Sequence, residues 1–236
     1  MKALILNSGM GKRMGVLTSE HPKCMTEIVG RETILSRQLK LLHQCGITEV
    51  IMTTGFYVKV LVDYCNSLNL PLKYTFVNNP LYDITNYIYS IYLAKDHHDD
   101  DIVLMHGDMV FEPGILQDVL KHKNSCMTVS STIPLPPKDF KAVVKNGLIE
   151  KVGVQFFDNA VAAQPLYKIN KADWKIWLDR IIFYCENGQV SCYAENALNE
   201  VSNKCHIYPM DFADRLCAEV DMPEDLILIK ERLAKR

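Results

Sequence analysis

The chain of 236 residues is predicted to fold as an α/β protein: a mostly parallel, Rossmann-like sheet in three α/β/α layers, with a small antiparallel subregion. Three observations carry this. Short apolar runs alternate with segments of helical periodicity through residue 135. The connections between the runs have the length of crossover helices. After Pro134-Leu-Pro-Pro137 the texture changes, and an Asn-Gly pair between apolar runs signals a hairpin.

Taken in order, Lys2 to Leu6 reads as a buried first strand. Arg31 to Cys45 reads as a helix, with Leu35, Leu39 and Leu42 on one stripe and Gly46 as its stop. Glu49 to Thr53 is a second strand, and Gly55-Phe56 leads into a helix ending near Leu68. Leu72 to Val77 is a third strand, and Thr85 or Asn86 can cap a helix running to Ala94. Asp101 to His106 is a fourth strand, ending at Gly107-Asp108. A short helix near Gly114 to His122 then precedes a fifth strand, Ser125 to Ile133. Further on, Phe140 to Val144 and Leu148 to Val154 flank Lys145-Asn-Gly147 as a hairpin. Asn170 to Cys185 is a long helix with Trp174 and Trp177 as core residues, Cys205 to Met210 a late strand and Pro223 to Leu233 a terminal helix. With no repeat or linker of disordered composition, a single domain over residues 1–236 is expected.

Composition excludes several function classes. Twenty-six basic against 28 acidic residues, with no Lys/Arg block, argue against a nucleic-acid partner. The longest apolar runs, such as Ile47 to Met52, fall well short of the roughly 18 residues that span a bilayer. The N-terminus lacks a signal-peptide layout, so a cytoplasmic protein without membrane contact is expected. Eight cysteines without a C-x-x-C read as reduced, mostly buried thiols.

The stretch Asn7-Ser-Gly-Met-Gly-Lys-Arg-Met14 follows the first strand directly. It fails the dinucleotide fingerprint, because Gly15 stands one residue late and no acid ends a second strand at the right distance. It also fails the Walker pattern, because Arg13 stands where a metal-binding hydroxyl belongs. A lone glycine pair serves a plain tight turn as well as a phosphate site. Lys12, Arg13 and then His21-Pro-Lys23 favour an anion, since amides freed by Gly9 and Gly11 approach phosphate while Arg13 offers a fork and Lys23 a point charge. Either cation alone could equally be a solvated surface charge. Asp221, ahead of Pro223 and Glu224, reads on spacing as a helix-capping box, and Asp108 as the start of a turn.

Leu6-Asn-Ser-Gly-Met-Gly-Lys-Arg-Met14 with His21-Pro-Lys23 resembles the L-A-A-G-x-G-x-R-[LM] and P-K signature of the sugar-nucleotidyltransferase superfamily. The likeness is closest to its short bacterial choline-phosphate cytidylyltransferases. It extends to the asparagine-rich segment Val77 to Ala94, to Met105-His-Gly-Asp-Met-Val-Phe111, which resembles a D-x-D-type strand end, and to Cys217-Ala-Glu-Val-Asp221, which resembles a late E-x-D motif.

The resemblance implies CMP transfer from CTP to a small phosphorylated or phosphonate amine, with Mg²⁺ as cofactor on Asp108 and Asp221. Arg13 and Lys23 would be catalytic, and Asn7, Ser8, Gly9, Gly11, Lys12, Gly55, Tyr57 and Asn86 would bind nucleotide. Residues 1–135 would be the nucleotide part and 136–236 the acceptor part, and a homodimer is compatible with the family. For a choline-like acceptor the positions are Phe140, Tyr193, Glu195 and Glu219, of which Phe140 and Tyr193 could equally serve ordinary packing. Phe140 stands where the choline enzymes carry a tryptophan, and Cys192-Tyr-Ala-Glu195 lacks the second aromatic of their Y-W-D. A 2-aminoethylphosphonate or a phosphorylated amino acid is therefore an alternative acceptor. Asn7-Ser8 replaces the family's Ala-Ala. A sugar-1-phosphate enzyme and a catalytically inactive nucleotide-binding subunit remain as rivals, whereas a nicotinamide oxidoreductase is disfavoured by the glycine spacing. His21 and His106 are given no role.

Overall fold

The computed structural model describes residues 1–97 and 99–235. In chain order its strands and helices are β1 (Lys2–Asn7), β2 (Glu27–Val29), β3 (Glu32–Thr33), α1 (Ile34–Gln44), β4 (Glu49–Thr54), α2 (Val58–Ser67), β5 (Lys73–Asn78), α3 (Tyr87–Leu93), β6 (Ile102–His106), β7 (Met109–Phe111), α4 (Pro113–Lys121) and β8 (Cys126–Ser130). The later elements are β9 (Lys141–Lys145), β10 (Leu148–Gly153), β11 (Ala160–Ile169), α5 (Lys171–Glu186), α6 (Ala194–Val201), β12 (Tyr208–Asp211), β13 (Cys217–Glu219) and α7 (Pro223–Ala234).

One sheet takes strands from both parts of the chain in the order β10-β9-β11-β6-β1-β4-β5, with β8 beside β11 and β12 beside β8. β1 pairs in parallel with β4 and β6, and β4 with β5, as the β-α-β pattern predicts. Period-two alternation divides β1 between two cores. Leu4 and Leu6 pack with α3, α5 and α6 on one face, and Ala3 and Ile5 with α1, α2 and α4 on the other. Trp174 and Trp177 are buried in the first of these cores, and Trp177 Nε1 donates to Ala194 O at 2.9 Å, tying α5 to α6.

Several expectations are corrected. The helix predicted from Arg31 starts at Ile34, because Glu32 and Thr33 pair with Glu27 to Val29 and Thr33 caps the helix through Ser36. The fifth strand does not continue the parallel array: β11, absent from the sequence reading, runs antiparallel between β6 and β8. Pro165 hid it, and the strand accommodates this proline at a register shift between Gln164 and Tyr167. The Asn146-Gly147 hairpin forms as read, both residues with positive φ. All eight cysteines are free, and six are buried. Among the described residues no helix is long and apolar enough to cross a membrane.

Candidate active site

The parallel strands end at one edge of the sheet, where an open α/β sheet binds ligands, and the site is built there from three directions. From β1, the chain turns through Gly9 and Gly11; Gly11 has φ 61°, and a side chain on it would meet Lys23 Cβ at 3.0 Å. From β6, Gly107 and Asp108 lead into β7, and the buried Gln38 braces this turn by donating to His106 O (3.0 Å) and Met109 O (2.9 Å). From the end of the chain, β13 pairs antiparallel with β7, Glu219 opposite Met109, and the Val220 amide donates to Asp108 O at 3.0 Å. That two-stranded ribbon brings Glu219 and Asp221 beside Asp108.

The Lys23 ammonium lies between two carboxylates, paired with Asp108 Oδ2 and 2.8 Å from Asp221 Oδ1. Arg13 adds a bond to the same Asp221 oxygen at 2.9 Å. Burial works against the Lys23 charge, yet the neighbouring Asp108 and Asp221 outweigh it and raise its pKa. Burial likewise opposes ionisation of Asp108, while Lys23 and His106 hold its carboxyl below the usual range. Asp221 does not cap α7 as its spacing predicts. Asp225 Oδ2 accepts from the Asp221 and Met222 amides (2.9 and 2.8 Å), which leaves the Asp221 carboxylate for the cations.

A cavity of about 380 Å³ runs from this clasp to an aromatic pocket. Phe140 and Tyr193 meet edge to face with centroids 5.2 Å apart, and Tyr87 lies 5.9 Å from Tyr193 and 4.7 Å from the His106 ring. His106 Nδ1 bonds Glu219 Oε1 at 2.8 Å. Burial depresses the imidazole pKa, but Glu219 outweighs it and the net direction is upward; burial and the Asp108 charge raise Glu219. Sequence alone gives His106 no role, because its partner is 113 residues away and leaves no local pattern. A smaller cavity of about 270 Å³ adjoins, lined by Ser8, Asn79, Tyr82, Thr85 and Asn86 among others.

Of the residues singled out from sequence, Asn7, Gly9, Gly11, Lys12, Arg13, Lys23, Asn86, Asp108, Phe140, Tyr193, Glu219 and Asp221 line the larger cavity, and Ser8 the smaller. Three do not reach either. A Cβ on Gly55 would lie 2.4 Å from Ser8 O, so Gly55 acts by letting its loop close on the turn. Tyr57 donates to Ser19 O at 2.6 Å and braces the segment after the turn. Glu195 is buried, accepting from Tyr167 at 2.9 Å and from Tyr87, so it supports the aromatic pocket one side chain removed.

The donor set fits a hard divalent cation. Asp108 Oδ1 is buried without a partner among the described residues, the opposed carboxylates already grip a cation, and His106, Asp108 and Glu219 present ligand atoms all within 4.8 Å of one another.

Two carboxylates, two cations and a glycine turn thus meet at the carboxyl edge of the parallel strands of an α/β sheet. Residues 3–138 match the model of the MobA-like NTP transferase domain, and the chain belongs to that family. It is 32% identical over 137 residues to the CMP-5′-(3-aminopropyl)phosphonate synthase of Streptomyces rubellomurinus, covering 58% of this chain and 22% of that protein. It is 27% identical over 169 residues to the CTP:phosphoglutamine cytidylyltransferase of Campylobacter jejuni, covering 65% of each. The chain thus spans about a fifth of the first relative and just under two thirds of the second. It is 23% identical to the choline-phosphate cytidylyltransferase of Streptococcus pneumoniae over 99% of this chain and 98% of that one. The same fold occurs in the solved CTP:phosphocholine cytidylyltransferase from Streptococcus pneumoniae (TM-score 0.77, 19% identity, 98% of both chains). It also occurs in the inositol-1-phosphate CTP transferase from T. maritima (TM-score 0.79, 19% identity, 99% and 96% of the two chains).

Proposed function

We propose that this chain is a cytidylyltransferase that moves CMP from CTP to a small phosphorylated or phosphonate acceptor bearing a cationic amine, releasing pyrophosphate. The observation that carries the reading is a single cavity joining the Lys23, Asp108 and Asp221 clasp under a glycine turn to the pocket of Phe140, Tyr193, Tyr87 and Glu219. The names of the three relatives, whose products or substrates are an aminopropylphosphonate, a phosphoglutamine and a phosphocholine, support the acceptor class.

In the reaction an acceptor phosphate oxygen bonds to the α-phosphorus, and the bond from that phosphorus to pyrophosphate breaks, its electron pair leaving with pyrophosphate. The acceptor phosphate has a second pKa near 6 and is largely dianionic at neutral pH, so no general base is required. The obstacle is the approach of two anions, which positioning and fixed charge overcome. Arg13, Lys12 and the amides of the turn hold the β- and γ-phosphates. Lys23 exchanges its carboxylates for a phosphate oxygen as the triphosphate enters. Asp108 and Asp221 would hold Mg²⁺, which supplies charge neutralisation between the phosphate groups. Tyr193 and Phe140 offer ring faces, and Glu219 a carboxylate, to the acceptor's ammonium. In this reading residues 1–135 serve mainly the nucleotide and 136–236 mainly the acceptor within one domain, with Asp221 and Tyr87 each reaching into the other part's end of the cavity.

The deciding experiment is a CTP-dependent pyrophosphate-release screen over phosphocholine, phosphoethanolamine, 2-aminoethylphosphonate, phosphorylated amino acids and sugar 1-phosphates, with and without Mg²⁺. Release with an amine acceptor is expected. Release with a sugar 1-phosphate alone, or with none, overturns the reading.

A further inference from the structure

Two polar side chains of the turn have no work in the fold. Asn7 and Ser8 are 8% and 7% exposed, and neither Asn7 Nδ2 nor Ser8 Oγ has a hydrogen-bond partner among the described residues. A buried donor left unmet is costly, and such atoms call for an explanation. Asn7 lines the larger cavity and Ser8 the smaller. The two cavities share Leu6, Gly9, Asn86, Tyr87, His106 and Asp108. They differ in charge: the larger is lined by Lys12, Arg13, Lys23 and Lys138, whereas the smaller has no lysine or arginine. An uncharged base and ribose suit the smaller, and the triphosphate the larger. The α-phosphorus then falls at the junction, beside Asp108, with the Asn7 amide alongside.

The residue is held at both ends: the Asn7 backbone N–H donates to Thr53 Oγ1 at 3.1 Å, and its side-chain carbonyl packs so closely on Gly107 that a Cβ there would lie 1.6 Å from Oδ1. Lys23 and Arg13 pair with Asp108 and Asp221 and must give up those bonds to meet phosphate, whereas Asn7 Nδ2 has no partner among the described residues to give up. We propose that Asn7 is a catalytic donor whose Nδ2 hydrogen bonds a non-bridging oxygen of the α-phosphate and strengthens that bond as negative charge gathers there during transfer. The proposal rests on the cytidylyltransferase reading; bond making and breaking are as given above, and Asn7 exchanges no proton.

The test is single-turnover transfer at saturating CTP by the full chain, with Asn7→Ala and the isosteric Asn7→Asp, each checked for folding by thermal melting. Removing one donor aimed at developing charge is expected to slow Asn7→Ala on the order of 10²-fold, with CTP affinity by calorimetry little changed. Asn7→Asp, which keeps the shape and replaces the donor by a negative charge, is expected to be at least as slow. The readout specific to the bond uses the two diastereomers of CTPαS. In the wild type, the one with sulfur facing Asn7 reacts more slowly than CTP, and in Asn7→Ala that ratio shrinks toward the other diastereomer's. Unchanged ratios in Asn7→Ala, a fully active Asn7→Asp, or a loss confined to CTP affinity overturns the Asn7 role while the cytidylyltransferase reading stands. Wild-type protein that transfers CMP to no acceptor overturns that reading, and the role with it.

Discussion

The two ends of the cavity are held together by different physics. At the charged end, Lys23, Asp108, Asp221 and Arg13 sit on turns, each side chain's position set by the others. At the aromatic end, Tyr87, Tyr193 and Phe140 sit on or beside regular elements, backed by a core containing Trp174 and Trp177 and by the buried Glu195. The ion cluster lines the cavity, and Lys23 keeps Asp221 as a partner when Asp108 is neutralised, whereas thinning a packed core costs transfer and cavity energy. Mutations at the first end should therefore change chemistry more than folding, and mutations at the second should do the reverse.

The contrast can be broken in four places. The largest effect is expected from Trp177→Ala, which removes a fully buried side chain and the α5–α6 hydrogen bond and should cost about 3–5 kcal/mol in urea unfolding. The protein that remains folded should still bind CTP with wild-type affinity. Asp108→Asn comes next. Pyrophosphate release should fall on the order of 10²–10³-fold, and Mn²⁺ binding followed by electron paramagnetic resonance should weaken, with a melting temperature close to wild type. A large loss of stability there would erase the distinction between the two ends.

Glu195→Gln is the intermediate case. Two tyrosine hydroxyls donate to this carboxylate, and the amide nitrogen of glutamine cannot accept, so one buried hydroxyl is left unmet at about 1–3 kcal/mol. The KM for acceptor should rise while that for CTP holds. The smallest effect belongs to Glu200, which Tyr184 and Arg180 hold below the usual carboxylate range and which clamps α6 to α5. A depressed folded pKa adds stability that is present above the unfolded value, about 4.3, and is lost as pH falls through the folded value. Wild type should therefore exceed Glu200→Gln in denaturant midpoint at pH 7, and the gap should close in acid.

What the sequence reveals follows from the range of the interactions concerned. The early strands and helices announce themselves because periodicity is local, and β1, β4, β5 and β6 lie where their apolar runs place them. Lys23, Asp108 and Asp221 lie far apart in the chain and were grouped only through the resemblance; the structure brings all three within one ion cluster. The ribbon that does so is two strands of three residues, too short for any alternation to register. The same limit hid His106, whose role depends on Glu219 across that ribbon, and α6, whose Ala194-Glu-Asn start carries no strong capping signal. Pro165 concealed β11 for a different reason, since a bulge that tolerates proline is a tertiary property.

The pairing of β13 with β7 has a consequence for how the protein comes into being. Residues that match the family model end at 138, and every parallel strand of the β5-β4-β1-β6 array has been made by then, yet Glu219 and Asp221 have not. A nascent chain can therefore assemble that parallel array, before β9, β10, β11 and β12 exist to complete the sheet, while holding only half of the carboxylate pair.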